Sequence, residues 1–253
     1  MLAEQRRQEV LSTVRSGQTV ETATLAKRFG VSEMTIRRDL DELADRGLLR
    51  RVRGGAVQAK SLRYEPPFDE SQIERGEQKA RVGSAAAKLV GPGATIIIDI
   101  GTTALQLARH LHGRPGLTVV TNNLAVYEEL VGDEDVDILL LGGLVRRNYR
   151  SLVGFLTADS LQGIQADLAF MGTSGIGDDL ALLDTTAEEI PAKRAMLRAA
   201  KRVVLLADGA KFWGGGLGRV AGIDAVDVVV TTADAPRDRL AAMRRRNVEV
   251  RVA

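Results

Sequence analysis

Around residue 100 an apolar run at 95–100 passes directly into Asp99-Ile-Gly101-Thr102-Thr103 and then into a helical pattern. Those residue types in that order suit an anion. Gly101 lets the backbone approach closely, Thr102 and Thr103 offer hydroxyls, and the start of the following helix offers unpaired N–H groups. Four more apolar runs end in small polar residues: Thr121-Asn122-Asn123, Gly142-Gly143, Gly172-Thr-Ser174-Gly175-Ile176 and Asp208-Gly-Ala-Lys211. Taken singly, each is ordinary turn chemistry. Together, with a lysine on one of them, they point to one crevice for an anionic, hydroxyl-rich ligand. Glu189 and Lys193, spaced i to i+4 with Arg194 alongside, make either a surface ion pair worth a few tenths of a kcal/mol or a carboxylate and an ammonium inside that crevice.

The elements that must position these groups follow from the hydrophobic pattern. Short apolar runs at 95–100, 117–121, 136–142, 167–173, 202–208, 226–232 and 248–252 alternate with amphipathic stretches at 104–111, 124–131, 187–200 and 236–246. Such alternation predicts an α/β fold with a largely parallel sheet covered by helices on both faces. In such sheets ligands bind beyond the C-terminal ends of the strands, where the polar segments fall. The glycine-rich stretch 211–218, KFWGGGLG, reads as a mobile lid carrying Trp213 or as a plain flexible loop. His110 and His112 stand near a helix end and read as solvated or capping groups.

The first 57 residues have a different character. A helix with Val10, Leu11 and Val14 on one stripe ends at Gly17. A second begins at Thr22 as its cap, faces Leu25, Ala26 and Phe29 inward and ends at Gly30. A third, capped by Ser32, buries Ile36, Leu40, Leu43 and Gly47. Its opposite face carries Met34, Arg38, Asp41 and Asp45, flanked by Thr35 and Arg37. Two helices joined by a short turn, the second with a polar cationic first half, are the layout of a helix-turn-helix whose second helix enters the major groove. LLRRVRGGAV then forms a hairpin turning at Gly54-Gly55, a wing placing Arg50, Arg51 and Arg53 against phosphates. The competing reading is a three-helix packing unit with solvated arginines.

Composition agrees with two modules. Residues 1–60 carry twelve Lys or Arg against eight Asp or Glu, while the net charge of all 253 residues is only +2. Without cysteine, and with two histidines, no metal site is expected, and no cofactor motif is present. The charged N-terminus and the absence of a run of about 20 apolar residues predict a cytoplasmic protein outside the membrane. Residues 58–78, polar and containing Pro66-Pro67, read as a linker between a domain at 1–57 and one at 79–253. Tyr64 and Phe68 are the linker residues able to dock on a neighbouring surface and make it a transmission segment.

The run 20–57, with TIRRDL and the glycine wing as its most telling pieces, resembles the winged helix-turn-helix of DeoR-type bacterial repressors. By that resemblance Ser32, Met34, Thr35, Arg37 and Arg38 face the operator, in agreement with the helical wheel. IDIGTT, TNN, LLGG, GTSGI, EIPAKRAM and LLADGAKF resemble the sensor domain of the same family, so the likeness spans nearly the whole chain. It implies a sensor similar in fold to ribose-5-phosphate isomerase and the CoA transferases, binding phosphorylated sugar intermediates. Asp99, Gly101, Thr102 and Thr103 would then form the phosphate-side loop. Asn122 and Asn123 would meet sugar hydroxyls, with Glu189, Lys193 and Lys211 nearby. The sequence departs from the family around 182–186 and 213–218, which leaves the effector's identity open.

The expected function is therefore a transcriptional repressor of carbohydrate-metabolism genes that binds double-stranded operator DNA as a homo-oligomer and answers to a sugar phosphate. The alternative is an isomerase-like enzyme with an accessory DNA module, using Asp99, Glu189 or Lys211 as acid and base. These candidates are scattered and form no paired constellation, so no catalytic residue is assigned.

Overall fold

A computed structural model describes residues 3–15, 20–45, 49–52, 54–58 and 66–253, with side chains omitted at 4, 15, 45, 50 and 58. Gly17, Gly47, Arg53, Tyr64 and the side chain of Arg50 lie outside the described residues. The chain divides into two compact units, Met1–Ser61 and Leu62–Ala253.

In the first unit α1 (Ala3–Arg15), β1 (Val20–Glu21), α2 (Thr22–Phe29) and α3 (Glu33–Asp45) are followed by β2 (Leu49–Val52) and β3 (Gly55–Gln58). The stripes expected from the sequence form one core: Val10, Leu11 and Val14 meet Leu25, Ala26, Ile36, Leu40 and Leu43. Gly30 ends α2 in the left-handed conformation, φ 65°, and the Ser32 hydroxyl caps α3 by accepting from the Thr35 N–H at 3.2 Å. Thr22 is not the cap expected of it. Glu21 occupies that position and Thr22 is buried in the first turn.

The strands form an antiparallel sheet in the order β1-β3-β2. Of Gly54 and Gly55, only Gly54 has positive φ, 84°. Gly55 is needed for a different reason: a β-carbon on it would stand 1.9 Å from the Val20 carbonyl oxygen, so β1 could not close on β3. A buried Arg6–Asp39 pair, Nε to Oδ2 2.5 Å, which no sequence pattern signals, fastens α1 to α3.

In the second unit α4 (Phe68–Ile73) and α5 (Gly76–Ala87) precede β4 (Thr95–Ile98). Next come α6 (Thr102–Ala108), β5 (Leu117–Thr121), α7 (Leu124–Leu130) and β6 (Val136–Leu140). A hairpin of β7 (Leu144–Arg146) and β8 (Ser151–Val153), closed by the 3-10 turn Arg147–Tyr149, leads through α8 (Phe155–Ser160) to β9 (Ala166–Met171). The chain finishes with β10 (Gly175–Ile176), β11 (Leu182–Asp184), α9 (Ile190–Ala199), β12 (Ala200–Leu206), β13 (Gly218–Ala221), β14 (Val228–Thr231), α10 (Arg237–Arg245) and β15 (Glu249–Val252).

All seven apolar runs enter one sheet, in the order β15-β14-β12-β9-β4-β5-β6, and every pairing is parallel. Alternate residues of each strand feed opposite cores. Ile97, Val120, Met171 and Leu205 pack with Met196 of α9 and Met243 of α10, while Ile96, Ile98, Val119 and Val204 pack with Val82 of α5 and Leu107 of α6. Burial on both faces is why these strands read as continuous apolar runs. From β4 the chain winds outward through β5 and β6, then returns to the other side of β4 with β9. That reversal opens a crevice beyond the ends of β4 and β9.

The polar stretch 58–78 is helical in much of its described part: it contains α4 and the start of α5, with Phe68 1% exposed. Its single aromatic anchor is too little to show as a periodic pattern. The glycine-rich stretch 211–218, expected to be a lid or a flexible loop, runs close to neighbouring backbone. β-carbons on Gly214 and Gly216 would stand 2.5 Å from the Ser174 carbonyl oxygen and 2.7 Å from the Asp184 nitrogen, so the glycines let this strap pack directly on neighbouring backbone.

Replacing Gly55 with Ala is expected to force β1 from β3 and destabilise the N-terminal unit by roughly 1–3 kcal/mol. Amide hydrogen exchange of the full chain checks this: exchange at Leu25, Ile36 and Leu40 should rise, and an unchanged pattern would contradict the packing.

Candidate functional site

The α3 surface presents the residues expected to face DNA. Ser32, Met34, Arg37 and Arg38 are exposed, Met34 at 58%, and Thr35 is half-buried. Ser32 Oγ lies 2.9 Å from Thr35 Oγ1, so both hydroxyls also stabilise the first turn. Arg37 reaches Glu33 at 3.4 Å, one turn earlier. Arg51 departs from the expected role as a phosphate contact: its Nε pairs with Asp41 of α3 at 3.0 Å, tying the wing to the helix. An exposed methionine beside two arginines suits a groove that offers thymine methyls and base-edge acceptors.

The second candidate site is a cavity beyond the ends of β4 and β9, where the sheet order reverses. Gly101, Thr102 and Thr103 line it from the β4 side, Thr173 and Ser174 from the β9 side, and Lys193 and Lys211 from two later segments. Gly101 adopts φ 109°. The following α6 is only seven residues long, so its dipole adds little, and the hydroxyls and lysines are the main attraction for an anion.

At the base of the cavity lies a buried charge cluster. Lys193 Nζ donates to Asp99 Oδ2 and, at 3.3 Å, to the Gly172 carbonyl, with Asp184 Oδ2 at 3.5 Å. Asp99 also accepts from the Gly172 N–H at 2.9 Å. Glu189 Oε1 accepts from Arg146 and, at 2.7 Å, from Ser151 Oγ. The Glu189–Lys193 spacing is thus not a surface pair: both side chains are buried, on an inward face of the α9 segment.

Burial alone would lower the Lys193 ammonium, but the charges of Asp99 and Asp184 override it and hold the group above its ordinary value. Burial pushes the Asp99 carboxyl up, opposed by Lys193, and pushes Glu189 up against Lys193, Ser151 and Arg146. The ammonium has two carboxylates and one carbonyl around it, so it stays protonated at neutral pH.

Six of the expected effector residues line the cavity: Gly101, Thr102, Thr103, Ser174, Lys193 and Lys211. Asp99 stands behind it, holding Lys193. Asn122 and Asn123 are fully buried framework. Asn123 caps α7 through Oδ1 and donates Nδ2 to the Asp99 and Gly101 carbonyls at 3.4 and 3.3 Å, while Asn122 Nδ2 donates to the Leu152 carbonyl at 2.9 Å. Glu189 is absent from the lining. Gly143 packs against Thr157 and Val153, and Gly175 against Gly214, both away from the cavity.

Sequence reasoning missed Tyr149 and Asp184 as lining residues. Asp184 falls at 182–186, where the sequence departs from the family pattern. Tyr149 sits in LVRRNYRS, whose one signal was an aromatic among arginines directly after Gly142-Gly143.

A winged helix-turn-helix joined to an α/β unit with an anion-suited cavity at its strand switch has the parts of a ligand-controlled DNA-binding regulator. The chain belongs to the DeoR family: residues 6–62 match the DeoR-like helix-turn-helix domain and residues 74–233 the DeoR C-terminal sensor domain. It is 35% identical over 232 residues to the glycerol-3-phosphate regulon repressor of Escherichia coli K12, covering 92% of each chain. It is 32% identical to the HTH-type transcriptional regulator GolR of Listeria innocua, covering 90% of this chain and 89% of that one. It is also 32% identical to the transcriptional repressor AccR of Agrobacterium fabrum, covering 89% and 88%. Among solved structures, ribose 5-phosphate isomerase A of Methanocaldococcus jannaschii aligns over 54% of each chain at 19% identity and a TM-score of 0.41.

Lys193→Met is expected to destabilise the second unit by about 3–5 kcal/mol, because it leaves Asp99 and Asp184 buried without their cation; adding Asp99→Asn should recover part of the loss. Thermal unfolding of the three proteins checks this, and a single-variant loss below about 1 kcal/mol would contradict the buried pair. The folded ammonium holds its proton more tightly than an ordinary lysine, at 10.5. Its stabilisation is therefore complete below that pH and is lost above it, and the alkaline fall in melting temperature should flatten in the double variant.

Proposed function

We propose that this protein is a transcriptional repressor of carbohydrate-metabolism genes that binds operator DNA through α3 and the wing and is controlled by a phosphorylated sugar or polyol in the cavity of the second unit. The observation that carries the reading is the joining of that cavity, with Thr102, Thr103, Lys193 and Lys211 on its walls, to a helix-turn-helix in one chain. Ser32, Met34, Thr35, Arg37 and Arg38 face the groove, while Arg50 and Arg53 meet phosphates. Thr102, Thr103 and Lys211 hold the effector's phosphate, and Ser174 and Asp184 its hydroxyls. A single small winged helix has limited affinity, so the protein works as a homo-oligomer on repeated half-sites. Its target being chromosomal DNA, it acts in the cytoplasm.

Sensing is favoured over turnover by the state of the carboxylates. Asp99 is bound to Lys193 and Glu189 to Arg146 and Ser151, which removes both from the part of a proton carrier at the cavity. The relatives support the ligand class: one is a repressor named for a glycerol-3-phosphate regulon.

A thermal-shift panel of glycerol 3-phosphate and hexose phosphates tests the cavity. One of them should raise the melting temperature, and Thr102→Val or Lys211→Ala should weaken its binding about ten- to a hundredfold, as expected for losing a hydrogen bond to a charged group. Failure of the whole panel, or an unchanged shift in both variants, would refute the site. For DNA, Arg38→Ala should weaken binding to the intergenic region beside the gene and lower the salt slope by about one if it contacts phosphate, or relax base preference by about 1–3 kcal/mol if it reads an edge. Unchanged affinity would exclude α3 as the reading helix.

A further inference from the structure

Tyr149 occupies a position that the proposed function leaves unexplained. It lines the cavity, with its hydroxyl 3.8 Å from the point where a β-carbon on Gly101 would stand. The same ring meets Phe68 edge to face, centroids 5.9 Å apart and planes at 80°. Phe68 opens α4, the first helix of the second unit.

Lys79 of α5 donates to the Ser71 carbonyl and, at 2.7 Å, to the Glu74 carbonyl, and the Arg150 guanidinium lies 5.5 Å from the Phe68 ring centre. α4 has six residues, of which Phe68 and Ser71 are buried, and its last residue, Ile73, is 83% exposed. Its attachments lead back to the cavity. The Thr102 hydroxyl donates to the Ser71 carbonyl at 3.4 Å, and Phe68 packs on Leu105 of α6 and on Ala125. At its C-terminal end Arg75, in the left-handed conformation at φ 57°, pairs with Asp208 at 2.9 Å and Asp234 at 2.5 Å. Asp208 in turn caps the turn that carries Lys211. Two residues of the cavity wall, Tyr149 and Thr102, therefore touch α4 directly, and a third, Lys211, is linked to its C-terminal end through Asp208 and Arg75.

Tyr149 is the half-buried wall residue on a short turn between two three-residue strands, whereas Thr102, Thr103 and Lys193 are fixed in helices.

We propose that Tyr149 is a positioning residue that couples the cavity to α4: a phosphorylated ligand engages its hydroxyl and shifts the ring, Phe68 loses its edge-to-face partner, and α4 changes its packing. This rests on the reading of the cavity as a phosphate-ester site. The chain from α4 then carries the change toward the DNA-binding unit, since a ligand acts on DNA affinity only through a difference between two states.

The test is hydrogen exchange on the full chain with and without glycerol 3-phosphate or glucose 6-phosphate, alongside operator titrations. In the unaltered protein, exchange should change both at 101–104 and at 68–74, and the ligand should change operator Kd by about fivefold or more, the lower end of ordinary allosteric coupling. In Phe68→Leu the response at 101–104 should persist while that at 68–74 and the operator effect fall away. Tyr149→Phe should likewise reduce the operator effect to less than about twofold, which a purely structural ring would not do because the ring contact is retained. Response at 101–104 without response at 68–74 in the unaltered protein, or normal coupling in both variants, overturns the relay while leaving the cavity assignment standing. No response at 101–104 to either probe removes the cavity assignment and the relay with it.

Discussion

The second unit depends on the buried ammonium of Lys193. Lys193 brings an ammonium into a protein interior, where an unpaired charge is prohibitive, and it is retained only because Asp99, Asp184 and the Gly172 carbonyl converge on it. Those partners come from the ends of β4 and β9 and from β11, so a single charge fixes the relative positions of loops far apart in sequence. The cavity is the space that this convergence leaves. Asn123 completes the frame from the opposite side by holding the backbone at Asp99 and Gly101.

The same cluster limits proton transfer at the cavity. The carboxylates within reach of the cavity are engaged in holding cations in place, and an acid or base so occupied is poorly placed to move a proton. Hydroxyls and lysines remain on the wall, groups suited to holding an anion. The helix-turn-helix unit has a parallel economy: the buried Arg6–Asp39 pair and the Arg51–Asp41 contact position α3 from behind and from the wing, leaving Met34, Arg37 and Arg38 exposed.

Much of the fold was legible because it rests on periodicity. Seven apolar runs became seven parallel strands, and the Ile36-Leu40-Leu43 stripe became the buried face of α3. The polar ends of strands pointed correctly to one edge of the sheet. What escaped was carried by single residues and by tertiary contacts. The β7–β8 hairpin is built of three-residue strands, too short to show alternation, and it delivers Tyr149 to the cavity. Glu189 and Lys193 share the spacing of a surface pair, and nothing local says that Asp99, almost a hundred residues earlier, will draw the lysine inward. Asn122 and Asn123 have the chemistry of ligand contacts but serve the backbone, a distinction that only burial reveals. Glycines at 214 and 216 suggested motion by composition and instead permit close packing.

The central claim is that one free energy links the cavity to DNA binding, and linkage makes it reciprocal. The most direct measurement is the affinity of a phosphorylated ligand, by calorimetry, for the protein alone and for the protein saturated with operator. The ratio of those two constants should equal the ratio of operator affinities measured without and with saturating ligand, both differing from one by the same factor. Identical ligand affinity in the presence and absence of operator would show that the two units bind independently, and would contradict the account.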